Sequence, residues 1–274
     1  MNKIQRNQKG FAHIILFVVL AVVIGVVGYS VFRLVQSKDS AYTAENAQAK
    51  AQNNKVKIKS MPINIDTYDP ATGKAGDMAF PKDAFSKGSI DMIFFGYGFV
   101  ISGENNAQRQ DKTNPQPTFL APVGTKVHAL IDGEVVAVSS LYSNDFAIHM
   151  KGKGSDLIFE TEHVMNVKVK VGDQVTAGTD IAEVSDYDRR NYAGLGLVEI
   201  GVLKGGNPPT HLCTFDFLDD SIKDTTLKKI TQLEKDWESF RGKPDLYGEE
   251  VIPGCVSRAP ISDNNNSQTG QANN

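Results

Sequence analysis

Two cysteines, Cys213 and Cys255, are all that this 274-residue chain contains, and neither belongs to a Cys-x-x-Cys pair. A thiolate zinc site and a thioredoxin-like redox centre are thereby excluded. No excess of one charge sign exists either, because 29 Lys and Arg face 32 Asp and Glu, for a formal net charge of −3. The chain therefore lacks the basic field that holds nucleic acid. The five histidines, His13, His128, His149, His163 and His211, include no two at ligand spacing. Asp66, Asp69 and Asp77 flank the turn Pro70-Ala71-Thr72-Gly73 without Asp-x-Asp-x-Asp-Gly spacing. They read as turn-forming, solvated carboxylates and not as calcium ligands.

Long apolar runs are scarce, with one exception. Residues 11–32 carry no fixed charge, and Ile14 to Val27 is almost wholly Ile, Leu, Val, Phe and Ala. About 20 apolar residues cross a bilayer as a helix, and a signal-peptide core is shorter, about 7–15 residues. Residues 11–35 are expected to form a transmembrane helix. Lys3, Arg6 and Lys9 precede it, and Arg33 and Lys38 follow. That count slightly favours an inside N-terminus, as do the short head and the long C-terminal section. The expectation is a single-pass protein of the cell membrane with residues 1–10 cytoplasmic and the domain extracytoplasmic. Residues 36–60, rich in Ala, Gln, Asn and Lys, read as a polar stalk, and residues 261–274 as a disordered tail. Roughly two hundred residues remain to bury a core.

Within those, the pattern turns to strands. Ile90 to Ile101 is apolar and aromatic, broken by Gly96 and Gly98. Glu134–Val138, Asp145–Met150, Asp156–Glu160, Val167–Val171, Ile181–Val184 and Leu197–Leu203 are short, β-branched and separated by turn residues. Such spacing predicts a mainly β sandwich or barrel. Then Asp219 or Asp220 can cap a helix, Leu227, Ile230, Leu233, Trp237 and Phe240 recur on one face, and Gly242 and Pro244 end it. This predicts one C-terminal amphipathic helix whose Trp and Phe pack against the sheet or its rim.

Two stretches echo each other. Ala121-Pro122-Val123-Gly124-Thr125-Lys126-Val127 leads to Asp132-Gly133-Glu134-Val135-Val136, and Val169-Lys170-Val171-Gly172-Asp173-Gln174-Val175 leads through Gly178 to Ile181-Ala182-Glu183-Val184. Gly124 and Gly172 permit tight turns at positive φ, and each following Val enters the core. This pattern, from Asp91 to Leu203, resembles the duplicated hybrid motif (barrel-sandwich hybrid) shared by lysostaphin/LytM-type metallopeptidases, lipoyl and biotinyl domains, and membrane-fusion adaptors. The lipoyl group modifies a Lys between its halves, and Ser185-Asp186-Tyr187-Asp188-Arg189-Arg190 has none. The adaptors carry a long heptad hairpin that is missing here. The lysostaphin type is the more similar, with Thr161-Glu162-His163-Val164 at its Tyr-x-His-Leu and Val198-Glu199-Ile200 at its Phe-Glu-Ile. Residues 61–210 are accordingly read as the β domain and 211–260 as a helical extension.

The resemblance implies a zinc held by a His, an Asp four residues on, and the second His of a His-x-His. Those positions are Asn114, Thr118 and Leu197, and a further catalytic His falls on Leu195. Only His163 keeps its family identity. The expectation is no zinc, no cofactor and no catalytic residue, with His163 making a hydrogen bond at the rim of a residual groove. The implied role is a non-catalytic module that binds cell-wall peptidoglycan or an envelope protein. Two alternatives stand beside it: an active cell-wall endopeptidase with a relocated site, and a structural subunit of a surface filament or an adaptor-like protein. The filament reading comes from Lys9-Gly10-Phe11, which resembles a prepilin cleavage site, although Ile15 replaces that family's Glu. Outside the cytoplasm Cys213 and Cys255 are expected to bond, while a reducing compartment would leave two free thiols.

Overall fold

The computed structural model describes residues 56–105 and 110–262. The head at 1–10, the helix expected over 11–35, most of the stalk expected over 36–60 and nearly all of the tail lie outside the described residues. Among the described residues, no helix is long and apolar enough to cross a membrane.

A small three-stranded sheet comes first, made of β1 (Tyr68–Asp69), β2 (Lys74–Ala75) and β3 (Met78–Ala79). Its turn is held by Asp69, whose carboxylate accepts from Ala71 N at 2.9 Å and Thr72 Oγ1 at 3.1 Å. Asp77 likewise accepts from Asn64 N at 2.7 Å, so both carboxylates serve turns. The aromatic run, broken in sequence by Gly96 and Gly98, forms β4 (Phe94–Phe95) and β5 (Val100–Ile101), and β5 pairs with β6 (Lys112–Thr113). Gly98 stands between at φ 82° and turns the chain.

The main sheet contains β7 (Thr118–Pro122), β8 (Lys126–His128), β9 (Gly133–Ser140), β10 (Phe146–Lys151), β11 (Leu157–Met165), β12 (Gln174–Val175), β13 (Asp180–Val184), β14 (Leu195–Lys204), β15 (Thr210–Leu212) and β16 (Ile261–Ser262). Its order is β12-β9-β10-β11-β14-β15-β16, with β7 paired to β14 and β4, and β13 paired to β11 and β8. The repeated turns do what their glycines require: Gly124 has φ 83° and Gly172 φ 92°, and Val127 and Val175 beyond them are buried. The two halves interlock where β13 of the second pairs with β8 of the first. One expected strand is corrected. Val167–Val171 forms none, because the chain turns at Asn166 (φ 49°) and again at Gly172, and between them Lys168 N makes one bond to Ile181 O.

Helix α1 (Asp220–Arg241) begins as its sequence dictates. Asp219 caps it by accepting from Ser221 N at 3.0 Å, and Gly242 ends it in the left-handed conformation at φ 62°. Ile230, Leu233 and Trp237 are fully buried on its apolar face. Trp237 stacks on Phe85 at 5.5 Å and meets Phe80 edge-on at 5.0 Å, and its Nε1 donates to Asp91 O at 3.0 Å. The helix thus packs on the segment that leads into the sheet, and it shares the core of the β domain. Cys213 and Cys255 are bonded, with Cα atoms 6.1 Å apart.

Both boundaries of the folded domain shift outward, toward the termini. Residues 56–60, expected in the stalk, belong to the folded domain: Ile58 is fully buried, bridges Leu218 and donates to Phe217 O at 2.8 Å. Lys59 pairs with Asp132 at 2.8 Å. At the other end Ile261 and Ser262, expected in the tail, form β16 against β15.

Candidate functional site

Strand register gathers a set of acidic and polar side chains on one face. Glu160 and Glu162 lie two residues apart on β11 and project alike. Across from them β14 places Gly201 and Glu199, β7 places Thr118 opposite Glu199, and β10 places His149 opposite Glu160. The hydrogen bonds follow: His149 Nε2 is 2.6 Å from Glu160 Oε1, Gln116 Nε2 donates to Glu160 Oε2 at 2.8 Å, and Thr118 Oγ1 donates to Glu199 Oε1 at 3.1 Å. Gly201 makes room for this. A Cβ there would stand 3.1 Å from Glu160 Oε2 and 3.3 Å from Gln116 Nε2.

His163 comes one residue after Glu162 and would face the opposite way in a regular strand. Its backbone is left-handed, at φ 57°, a costly conformation for a residue with a side chain. There β11 leaves one neighbour for another, pairing with β14 up to Glu162 and with β13 from Val164. The alternation breaks, and Glu162, His163 and Glu199 offer ligand atoms that all lie within 4.8 Å of one another.

The imidazole of His163 is held on several sides. It is 5% exposed. Its Nδ1 is 3.0 Å from Asp145 Oδ2, which also accepts from Ser185 Oγ at 2.6 Å, while Ser143 Oγ donates to Asp145 Oδ1. The Tyr187 ring stacks on the imidazole at 3.9 Å and 9°, and the Tyr187 hydroxyl is 2.7 Å from that of Tyr142.

These contacts move the proton affinities. Burial, then the charges of Glu160 and Glu199, push the Glu162 carboxyl well above the usual carboxylate range. Burial works against ionisation of Asp145, but the bonds from His163, Ser143 and Ser185 outweigh it and hold the carboxyl low. Burial also opposes the charged form of His149, yet the bond to Glu160 and its charge raise the imidazole.

Residues 117–206 match the model of Peptidase family M23. The chain carries a domain of that peptidase family. Among solved structures, the catalytic domain of lysostaphin from Staphylococcus simulans is 22% identical over 40% of this chain and 77% of that one, with a TM-score of 0.33. The solution structure of lysostaphin is 20% identical with a TM-score of 0.33, and the match covers 41% of this chain and only 43% of that chain. The SpoIIQ–SpoIIIAH pore-forming complex is 14% identical over 62% of this chain and 96% of the matched one, with a TM-score of 0.39. No curated protein matches the chain.

The zinc that the peptidase family implies does not fit the positions where the resemblance places its ligands. Asn114 Nδ2 donates to Gln116 O at 2.6 Å and Gly96 O at 3.3 Å, and so pins the approach to β7. The Thr118 hydroxyl serves Glu199. Leu195 and Leu197, each 5% exposed, offer no lone pair. His163 makes a hydrogen bond, as expected of it, and its partner is Asp145 at 3.0 Å. Sequence reasoning missed the glutamates, although a Glu-x-Glu on a strand always sets two carboxylates on one face. It also missed Asp145, Ser143 and Ser185, for which no spacing gives a signal. His128 lies apart from this cluster and pairs with Asp180 at 3.1 Å.

Proposed function

We propose that the chain is a membrane-anchored extracytoplasmic protein whose peptidase-family domain binds cell-wall peptidoglycan or an envelope protein without cutting it. The observation that supports this reading is the fate of the four family positions. Asn114 and Thr118 are committed to hydrogen bonds within the fold, and Leu195 and Leu197 are buried. A peptide laid along this face would meet fixed polar groups and the Tyr142–Tyr187 pair, with no hydrolytic water held at the inherited place. The anchor is argued from residues 11–35 and the outward orientation from their flanking charge.

The test is to incubate the full chain, purified in detergent, with isolated peptidoglycan. Expected are co-sedimentation with the wall and no release of soluble peptide fragments over many hours. Fragment release would overturn the non-catalytic reading. Absence of sedimentation would remove the wall as ligand and leave the envelope protein.

The second reading, an active hydrolase with a relocated site, draws on one observation: His163 stands among Glu162 and Glu199 with its ring oriented by Asp145. Fragment release that disappears in Glu199→Gln would favour it.

A further inference from the structure

We propose that Glu162, His163 and Glu199 form a divalent-cation site, selective for a transition metal such as zinc, and built from residues other than those at positions 114, 118 and 197. The inference does not rest on the binding reading above.

The case begins with donor chemistry. One imidazole and two carboxylates are a ligand set for borderline divalent ions. Their ligand atoms lie within 4.8 Å of one another. Around a tetrahedral zinc with bonds of about 2.0 Å, ligand atoms stand about 3.3 Å apart. Small rotations of the two glutamates close that gap.

The histidine supplies an independent argument. Metal-bound imidazoles give their second nitrogen to a carboxylate, which fixes the tautomer and aims the ligand. His163 has that arrangement before any ion is considered: Nδ1 faces Asp145 Oδ2 at 3.0 Å, and two serines fix Asp145 in turn. The other nitrogen, Nε2, makes no hydrogen bond in a side chain that is 5% exposed. Tyr187 clamps the ring so that it cannot turn away.

The glutamates supply a third. Glu160, Glu162 and Glu199 crowd one face, and among the described residues no Lys or Arg forms an ion pair with any of them; His149 pairs with Glu160 alone. Like charges at this range require a proton or a cation between them. Thr118 orients Glu199, and Gln116 and His149 engage Glu160, while Glu162 and Glu199 are the two carboxylates of this row that gather with His163. The left-handed backbone at His163 is the strain that brings Glu162 and His163 to one point. Three protein ligands leave a fourth position open to water or to an oxygen of a bound peptide.

The experiment is calorimetric titration of the full, tag-free chain, stripped of metal, with zinc, manganese and calcium separately. Expected is one equivalent of zinc, weaker manganese and negligible calcium. Glu199→Gln, which keeps shape and loses charge, should weaken zinc at least tenfold. Asp145→Asn should weaken it about 10–100-fold through the orientation of His163. His128→Gln should leave it unchanged, and a melting curve for each variant confirms folding. No zinc binding, or binding that survives Glu162→Gln and Glu199→Gln together, overturns the proposal. Zinc bound without peptidoglycan cleavage sustains both this site and the binding reading. Zinc with cleavage sustains the site and removes that reading, and cleavage without zinc binding removes both.

Discussion

His149 Nε2 stands 2.6 Å from Glu160 Oε1, with the carboxylate almost wholly buried and the imidazole mostly so. The pair bridges β10 and β11 directly beneath Glu162 and fixes one end of the acidic row. Burial alone would lower the affinity of His149 for its proton, but the bond to Glu160 raises it above the ordinary histidine value. A raised imidazole binds its proton more tightly folded than unfolded. Its contribution is therefore complete below about pH 6.5 and is lost as pH rises through the folded value. His149→Gln should lower stability by about 1–2 kcal/mol near pH 5.5, and the difference from wild type should shrink by pH 9. Melting curves at the two pH values check this, and a gap that grows with pH would contradict it.

A carboxyl in α1 shares this pH direction, but replacing it should have the opposite effect on stability. Burial first, then the charges of Glu250 and Glu238, push Glu234 up to about 8, and its Oε1 has no hydrogen-bond partner. The folded chain holds this proton more tightly than the unfolded chain does. Stability is accordingly lost as pH climbs from about 4.5 to about 8 and stays lost above. Glu234→Gln removes that loss, so it should match wild type near pH 4.5 and exceed it by a few kcal/mol at pH 9. Denaturant midpoints across this range provide the test.

The bond between Cys213 and Cys255 closes a loop of 42 residues around α1. By the loop-entropy relation it stabilises the fold by about 4 kcal/mol, worth about 10 °C in melting temperature for a domain of this size. Paired Cys213→Ser and Cys255→Ser substitutions should show that loss. Thiol labelling of unreduced, denatured protein should find no reactive cysteine.

The outward shift of the N-terminal domain boundary gives a further prediction. A chain beginning at Val56 should be soluble and folded, whereas one beginning at Met61 loses the buried Ile58 and the Lys59–Asp132 pair. The cost is about 2–3 kcal/mol, most of it from Ile58. The intact chain should stay with membranes after a high-salt wash, and its recovery in the soluble fraction would count against the anchor at residues 11–35.

Local rules made much of this fold legible. Gly124 and Gly172 declared their turns because no other residue takes positive φ so cheaply, and Asp219, the stripe ending at Phe240 and Gly242 declared α1. The spacing from Ala121 to Ile200 carried the hybrid motif. Long-range relations stayed hidden. Ile58 sits in a polar stretch, and only its distant partner Leu218 shows that it belongs to the core. The left-handed turn at His163 answers to the change of strand partners around it, which no neighbour in sequence announces. Val167–Val171 looked like a strand because its valines alternate, yet it found no partner strand.

The interlocking of the halves has a consequence for how the chain reaches its native state. Thr118 and Glu199 meet across 81 residues of chain, and β8 finds its partner only after β13 is in place. Neither half can complete its sheet alone, so the contacts that reward folding arrive only after large loops have closed. Such a topology has high contact order, and chains of this kind fold on millisecond-to-second scales instead of microseconds. While β7 waits for β14, its edge is unpaired and open to other chains.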